Sequence, residues 1–252
     1  MAQLDAQCST TPSTANLDIV MLIDISANMG ASNLRQLGLS FASELSQFNI
    51  GQNTRVSLIT FADIYNIVGD LNNFTNSNQL ASALFGLKVS NTTSVEALPI
   101  SMIKASDLLC SAAAENSNRS PVVLVLTSSL NQIYVSDMLY IVQYELSTYT
   151  RITVNYNASD TNLASVLAKV ASPADNFTSN DASLYNKIQN AFLQATCKSE
   201  NYYVKVKEEQ EKALSDDKAI KEEKNFGSKS RQRVLPENCQ KKISLRQIHN
   251  RL

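Results

Sequence analysis

The 252-residue sequence contains no tryptophan, six glycines and a single histidine, His249. Because the only histidine lies near the end of the chain, the predicted globular part holds no Ser-His-Asp or Cys-His catalytic arrangement. The sequence also lacks the G-x-G-x-x-G and G-x-x-x-x-G-K-[ST] motifs that bind dinucleotides and nucleotide phosphates. Paired carboxylates are not evident at the predicted strand ends. We therefore expect the protein not to be an enzyme.

Membrane and zinc signals are missing as well. No run approaches the roughly 20 consecutive apolar residues that a transmembrane helix needs. The first 17 residues lack the basic start and the apolar core of a signal peptide. A sequence with no C-x-x-C pair and one histidine also argues against a zinc site.

Charge divides the chain into two parts. Through Cys197 there are 8 Lys and Arg against 14 Asp and Glu, a net charge of −6, whereas the remainder has 14 against 9, a net charge of +5. We interpret the chain as an N-terminal extension (residues 1–17), a globular domain (18–196) and a charged, flexible tail (197–252) that is a candidate remnant of a further domain. The domain has no basic patch, so we expect no nucleic-acid partner.

The alternation of strands and helices predicts the fold class. Residues Ile19–Ile23 run without interruption into Asp24, and Pro121–Ser129 form a second apolar run, which is typical of strands buried on both faces. Two further strands, Arg55–Ala62 and Tyr65–Asp70, are too close for a parallel crossover and should form a hairpin. We predict an α/β fold with a doubly wound, mostly parallel sheet and one antiparallel edge strand.

Helical periodicity places the long helices at residues 33–48, 95–114, 135–149 and 182–196, with shorter ones at 76–87 and 162–171. Polar residues follow the first strand, where Asp24, Ser26 and Asn28 alternate. In open α/β sheets, ligands bind at the carboxyl ends of the strands, so these residues are candidates for a binding site.

The chain has four cysteines, at positions 8, 110, 197 and 239. Cys8 and Cys197 bracket the predicted domain, and a disulfide between them would close a loop of nearly 190 residues. Chain-entropy models give such a bond about 4–5 kcal/mol of stabilisation; two unpaired thiols are the alternative. We expect Cys110 to be a small buried residue of an apolar helix, and Cys239 has no evident partner.

Five asparagines stand in N-x-[ST] sequons and are glycosylation candidates: Asn73, Asn91, Asn118, Asn157 and Asn176. Several of them would arise by chance in a sequence this rich in Asn, Ser and Thr. The sequons alone therefore decide nothing about the compartment.

The strand order and the polar turns resemble those of a von Willebrand factor type A domain. That family holds a divalent cation in three loops, of the patterns Asp-x-Ser-x-Ser, a Gly-Gly-Thr-like turn and Thr-Asp-Gly. Asp24 and Ser26 match the first loop, with Asn28 in place of its second serine. Thr92 takes the threonine position, and Ser128 replaces the acidic residue of the third loop. The resemblance thus implies a degenerate metal-ion-dependent adhesion site.

A cation site with one carboxylate ligand attracts Mg²⁺ less than a site with two, because Mg²⁺ prefers anionic and water oxygens. We expect no obligate cofactor, with Mg²⁺ held by Asp24, Ser26, Asn28, Thr92 and Ser128 as the alternative. In a further alternative, Asp24, Ser26 and Thr92 hydrogen-bond one another and cap neighbouring amides.

The resemblance implies a recognition or adhesion module that binds a protein or glycan, in a defence or matrix context. Its ligand-face loops would contain Asn28, Asn91, Thr92, Ser128 and Ser129. The low glycine content and the flanking cysteines resemble the type A domains joined to C-type lectin domains in secreted nematode proteins, which predicts an extracellular location. The alternative is an intracellular scaffold that joins a complex through its charged tail. The sequence predicts no oligomeric state.

Overall fold

The computed structural model describes residues 8–115 and 118–197. Its strands are β1 (Leu17–Asp24), β2 (Thr54–Phe61), β3 (Tyr65–Gly69), β4 (Ser120–Thr127), β5 (Thr150–Asn155) and β6 (Asn176–Thr178). Its helices are α1 (Ala31–Leu45), α2 (Ser77–Phe85), α3 (Leu98–Ala114), α4 (Val135–Tyr144), α5 (Thr161–Val170) and α6 (residues 184–197). The predicted tail lies outside the described residues from residue 198 onward.

The six strands form one sheet in the order β3-β2-β1-β4-β5-β6. Strand β1 lies at the centre and pairs in parallel with both β2 and β4. Among the described strands only β3 runs antiparallel, and it pairs with β2 at the edge of the sheet. These pairings confirm the predicted doubly wound, mostly parallel sheet with one antiparallel edge strand.

Every residue of β1 is buried, because helices cover both faces of the sheet. On one face, Ile19, Met21 and Ile23 pack with apolar residues of α1, α2 and α6. On the other face, Val20 and Leu22 pack with α3, α4 and α5. This two-sided burial explains why the strand reads as an uninterrupted apolar run.

Three helices differ from the predicted bounds by three residues or more at one end, and the first, α1, ends at Leu45 and not at residue 48. Helix α3 begins at Leu98 and not at residue 95, and just before it the N–H of Ala97 donates a 3.0 Å hydrogen bond to the carbonyl of Ala62. Helix α4 ends at Tyr144, five residues before the predicted end. There the guanidinium of Arg151 donates hydrogen bonds to the carbonyl oxygens of Leu146 (2.7 Å) and Tyr149 (2.9 Å), which no longer bond within a helix.

A disulfide joins Cys8, before β1, to Cys197 at the end of α6, with a Cα–Cα distance of 4.5 Å. It connects the two ends of the described domain across 189 residues of sequence. Cys110 departs from the expectation of a small buried residue. It is half-buried and also disulfide-bonded. Among the residues described here, no helix combines the length and hydrophobicity required to cross a bilayer.

Candidate functional site

Three loops meet at the end of the sheet where the parallel strands have their carboxyl termini, and we call these loops the ligand face. They comprise residues 25–30 after β1, residues 90–94 before α3, and residues 128–131 after β4. Strands β1 and β4 are parallel neighbours with Ile23 opposite Leu126, so their carboxyl ends lie side by side. The topology therefore brings the predicted site residues of the first and third loops together.

Asp24 is the centre of this face, and its side chain is fully buried. Its Oδ1 accepts a 2.8 Å hydrogen bond from the N–H of Ser26. Its Oδ2 accepts hydrogen bonds from the N–H (2.9 Å) and the hydroxyl (2.8 Å) of Ser128. The hydroxyl of Thr127 lies 3.2 Å from the same oxygen. Both carboxylate oxygens are therefore satisfied by neutral donors of the chain.

The other carboxylate of β1 has a different environment. Asp18, at the opposite end of the strand, accepts two hydrogen bonds from the guanidinium of Arg55, at 2.7 and 2.9 Å. Asp24 forms no such ion pair in the described ranges. A buried carboxylate is costly unless hydrogen bonds compensate for the lost water, so the donors of Ser26 and Ser128 are what stabilises Asp24.

The second loop is attached to the first by backbone hydrogen bonds. The N–H of Ser90 donates to the carbonyl of Ile25 at 2.7 Å, and the N–H of Ala27 donates to the carbonyl of Thr92 at 2.7 Å. The Thr92 hydroxyl accepts a 3.0 Å hydrogen bond from the N–H of Ser94. The expected capping of amides is thus present for Asp24 and Thr92, and the hydroxyl that bonds Asp24 at 2.8 Å is that of Ser128 and not that of Ser26 or Thr92.

Asn28 connects all three loops. Its side-chain amide donates to the carbonyl of Thr93 at 2.9 Å and to the hydroxyl of Ser129 at 3.1 Å. The sequence predicted Asn28 as a metal ligand or ligand-face residue. The structure places it at the exposed surface of that face, where its amide group holds the second and third loops against the first.

A left-handed glycine directs the first loop into α1. Gly30 has a φ of +72°, which residues with a Cβ adopt only with strain. The preceding N–H of Met29 donates to the carbonyl of Ser26 at 3.0 Å and closes the turn. This turn returns the chain toward the sheet and leaves Ala27 and Asn28 exposed at the tip of the loop.

Two buried hydroxyls of the ligand face have unused hydrogen-bonding capacity. In the described part of the chain, Ser26 Oγ and Ser90 Oγ have no hydrogen-bond partner. The motif of the first loop predicts Ser26 as a site residue, whereas no sequence pattern singles out Ser90. Asn91 is exposed beside them, Thr92 and Ser129 are half-buried, and Ser128 is buried.

The residues present do not fit the cation site of the family that the sequence resembles. They supply one carboxylate, and protein donors already engage both of its oxygens. In residues 8–115 and 118–197, no three His, Cys, Asp or Glu side chains are grouped so that they could hold a metal ion. An octahedral Mg²⁺ would require the Ser128 hydroxyl to turn away from Asp24 and leave an oxygen of Asp24 available.

All five sequon asparagines lie on the surface of the domain and are exposed: Asn73, Asn91, Asn118, Asn157 and Asn176. Asn91 is the one that lies within the ligand face. A glycan on this side chain would stand beside Thr92 and obstruct access to the second loop.

We compared the chain with protein families, with known protein sequences and with solved structures. The family model described as "von Willebrand factor type A domain" matches residues 18–194. The C-type lectin domain-containing protein 160 of Caenorhabditis elegans is 27% identical over 201 residues, which cover 75% of this chain and 31% of that protein. The chain therefore spans about a third of the length of this relative.

Solved structures share the fold at low sequence identity. Proximal thread matrix protein 1 from the mussel byssus aligns with a TM-score of 0.53 and 13% identity, covering 75% of this chain and 50% of that chain. The von Willebrand factor domain of the type V pili tip protein Mfa5 from Porphyromonas gingivalis aligns with a TM-score of 0.53 and 12% identity, covering 72% and 95%.

A second structure of the mussel protein is described as having a zinc-occupied metal-ion-dependent adhesion site; it aligns with a TM-score of 0.50 and 16% identity, covering 75% of this chain and 46% of that chain. Domains of this family can thus bind metal at that site, and they are generally non-enzymatic modules for protein binding or adhesion. From the match over residues 18–194, the chain belongs to the von Willebrand factor type A domain family.

Proposed function

We propose that this domain is a non-enzymatic extracellular recognition module that binds a protein or glycan partner through its ligand face without an obligate metal. The observation that carries the proposal is the Asp24–Ser128 pair. In a cation-dependent site, the metal joins the first and third loops. Here the hydroxyl and the N–H of Ser128 join them directly, at 2.8 and 2.9 Å from Asp24.

The same loops offer the groups with which a partner could bond. Asn28 and Asn91 are exposed, and Thr92 and Ser129 are half-buried. Amides and hydroxyls suit the hydrogen-bonding groups of a peptide backbone or of a sugar. Since the loops are already connected by Asn28, little ordering is needed on binding, which lowers the entropic cost.

Several observations support an extracellular location. The Cys8–Cys197 disulfide is of a kind that persists in oxidising compartments. All five sequon asparagines are exposed, as a glycan acceptor must be. The mussel byssus protein that shares the fold is described as a thread matrix protein.

The experiment is a binding screen in buffer containing EDTA, with the full chain applied to a glycan array and to a panel of purified extracellular matrix proteins. The face variant Ala27→Arg adds a bulky cation at the exposed tip of the first loop. The matched control is Asn16→Arg, at a position that is also exposed and lies before β1, at the opposite end of the sheet. We expect a ligand that the native chain and Asn16→Arg bind with EDTA present and that Ala27→Arg loses.

Binding that appears only when Mg²⁺ or Mn²⁺ is added would contradict the metal-independent part of the proposal. Equal binding by Ala27→Arg and Asn16→Arg would contradict the assignment of the ligand face.

A further inference from the structure

A groove between α1 and α2 lies next to the ligand face and is formed by different residues. It has a volume of about 610 Å³, and we call it the α1–α2 groove. Its lining includes Leu39, Leu84, Phe85 and Val89 together with two cationic side chains, Arg35 and Lys88. Its volume is within the range of roughly 300–1,000 Å³ that is common for ligand pockets.

The groove exposes large apolar side chains from both helices. Leu39 of α1 is 48% exposed, and Phe85 at the end of α2 is 59% exposed. Isolated exposed apolar residues are common on protein surfaces, but a concave group of them indicates a binding surface. Covering these two side chains would remove apolar area from water, and this provides the driving force for a ligand.

The charge of the groove differs from that of the domain. Arg35 and Lys88 are exposed, and neither forms an ion pair in the described part of the chain. The sequence from 31 to 95 that supplies α1, α2 and the groove contains carboxylates only at Glu44, Asp63 and Asp70. Glu44 is nine positions from Arg35 along α1, which is about 13 Å of helix.

A close contact between α1 and α2 holds together the two helices that line the groove. A Cβ added to Gly38 of α1 would lie 2.8 Å from the carbonyl oxygen of Leu84 in α2, so only glycine permits this approach. The two helices are therefore packed backbone to backbone at Gly38 and Leu84, the sequence neighbours of Leu39 and Phe85. A groove that exists before binding costs less to occupy than one that must form.

We propose that the α1–α2 groove binds a short acidic segment of a protein partner, in which one or two apolar side chains are flanked by Asp or Glu. The apolar side chains contact Leu39 and Phe85, and the carboxylates pair with Arg35 and Lys88. Exposed ion pairs of this kind contribute little affinity singly but select for the sign of charge. The groove is a site separate from the ligand face, and its occupation does not depend on what the loops bind.

The test starts from a phage-displayed library of random 12-residue peptides, selected on the full chain in EDTA. Synthetic copies of the enriched peptides are then measured by fluorescence anisotropy. We expect enriched sequences that combine Leu, Ile or Phe with adjacent Asp or Glu. Their affinity should fall at least tenfold in Lys88→Glu, and it should weaken as NaCl is raised because the ion pairs are exposed.

Lys169→Glu is the matched control, since it makes the same change of charge at an exposed lysine of α5. Peptide affinity should be unchanged in this variant and in the ligand-face variant Ala27→Arg, and lost in Phe85→Ser. An unchanged affinity in Ala27→Arg also separates this proposal from the proposed function of the loops.

Three results would overturn the proposal. The first is a selection that enriches no peptide, which includes the case in which another segment of this chain covers the groove. The second is an equal loss of affinity in Lys88→Glu and Lys169→Glu. The third is a concentration-dependent dimer in sedimentation equilibrium that Phe85→Ser abolishes, because the occupant would then be a second copy of the chain.

Discussion

The hydroxyl of Ser128 donates a 2.8 Å hydrogen bond to Oδ2 of Asp24, across the ends of β4 and β1. In the family pattern, an acidic residue occupies the position of Ser128. Two carboxylates at this distance would repel each other unless a cation lay between them. A serine at this position replaces the repulsion with a hydrogen bond, so the two loops stay together without a cation.

The first prediction concerns the stability that this bond supplies. Ser128→Ala removes the hydroxyl but keeps the N–H that also bonds Asp24, and it should lower the free energy of unfolding by about 1–2 kcal/mol. Urea unfolding at neutral pH measures the change. Ser82→Ala, at an exposed position of α2, is the control and should stay within about 0.5 kcal/mol of the native chain. Equal stabilities of the two variants would mean that Ser128 does not support Asp24.

The second prediction follows from Glu44, whose carboxyl group is buried near the end of α1. Burial raises the pKa of Glu44 above its ordinary value, and its Oε1 has no hydrogen-bond partner among the described residues. A raised native-state pKa means that ionisation destabilises the fold, so the penalty is absent below the unfolded-state pKa and develops as pH rises through the raised value. Glu44→Gln should therefore be more stable than the native chain at pH 7.

The extra stability of Glu44→Gln should shrink toward zero as the pH falls below about 4, where the native glutamate is protonated in both the folded and the unfolded state. Urea unfolding of both proteins across this pH range tests the sign. A Glu44→Gln variant that is less stable at pH 7, or a difference that does not change with pH, would contradict the assignment of a destabilising buried carboxylate.

The third prediction separates the extracellular module from the intracellular scaffold. Protein isolated from its native source and analysed by non-reducing peptide mapping should contain the Cys8–Cys197 disulfide and N-glycans at exposed sequons. The scaffold alternative predicts free thiols and unmodified asparagines. Occupancy at Asn91 is informative in itself, because a glycan there would restrict access to Thr92, whereas a glycan at Asn118, which precedes β4 at the opposite end of the sheet, would lie away from the second loop.

Much of the fold follows from the sequence because its strongest signals are local. The apolar runs of β1 and β4 and the short connection between β2 and β3 suffice for a parallel sheet with one antiparallel strand. The end of α4 was not predictable in the same way. Beyond the helix, the guanidinium of Arg151 donates hydrogen bonds to the carbonyl oxygens of Leu146 and Tyr149, a contact that helical periodicity does not show.

The sequence predicts which residues form the ligand face, but it does not predict the hydrogen bonds between them. Asp24 was found because it directly follows an apolar strand. The role of Asn28 was not found, because its amide bonds Thr93 and Ser129, which lie 65 and 101 residues away in sequence. The α1–α2 groove also escaped prediction, since Leu39 and Phe85 belong to amphipathic helices whose apolar residues are normally assigned to the core.

The central claim, that the ligand face functions without a cation, is tested most directly by isothermal titration of Mg²⁺ and Mn²⁺ into the native chain and into Ser128→Asp. The native chain should give no saturable binding heat through millimolar metal, whereas Ser128→Asp should acquire a site by placing a second carboxylate beside Asp24. That new site should disappear in the double variant Asp24→Asn/Ser128→Asp. A site of micromolar affinity in the native chain, abolished by Asp24→Ala, would contradict the account.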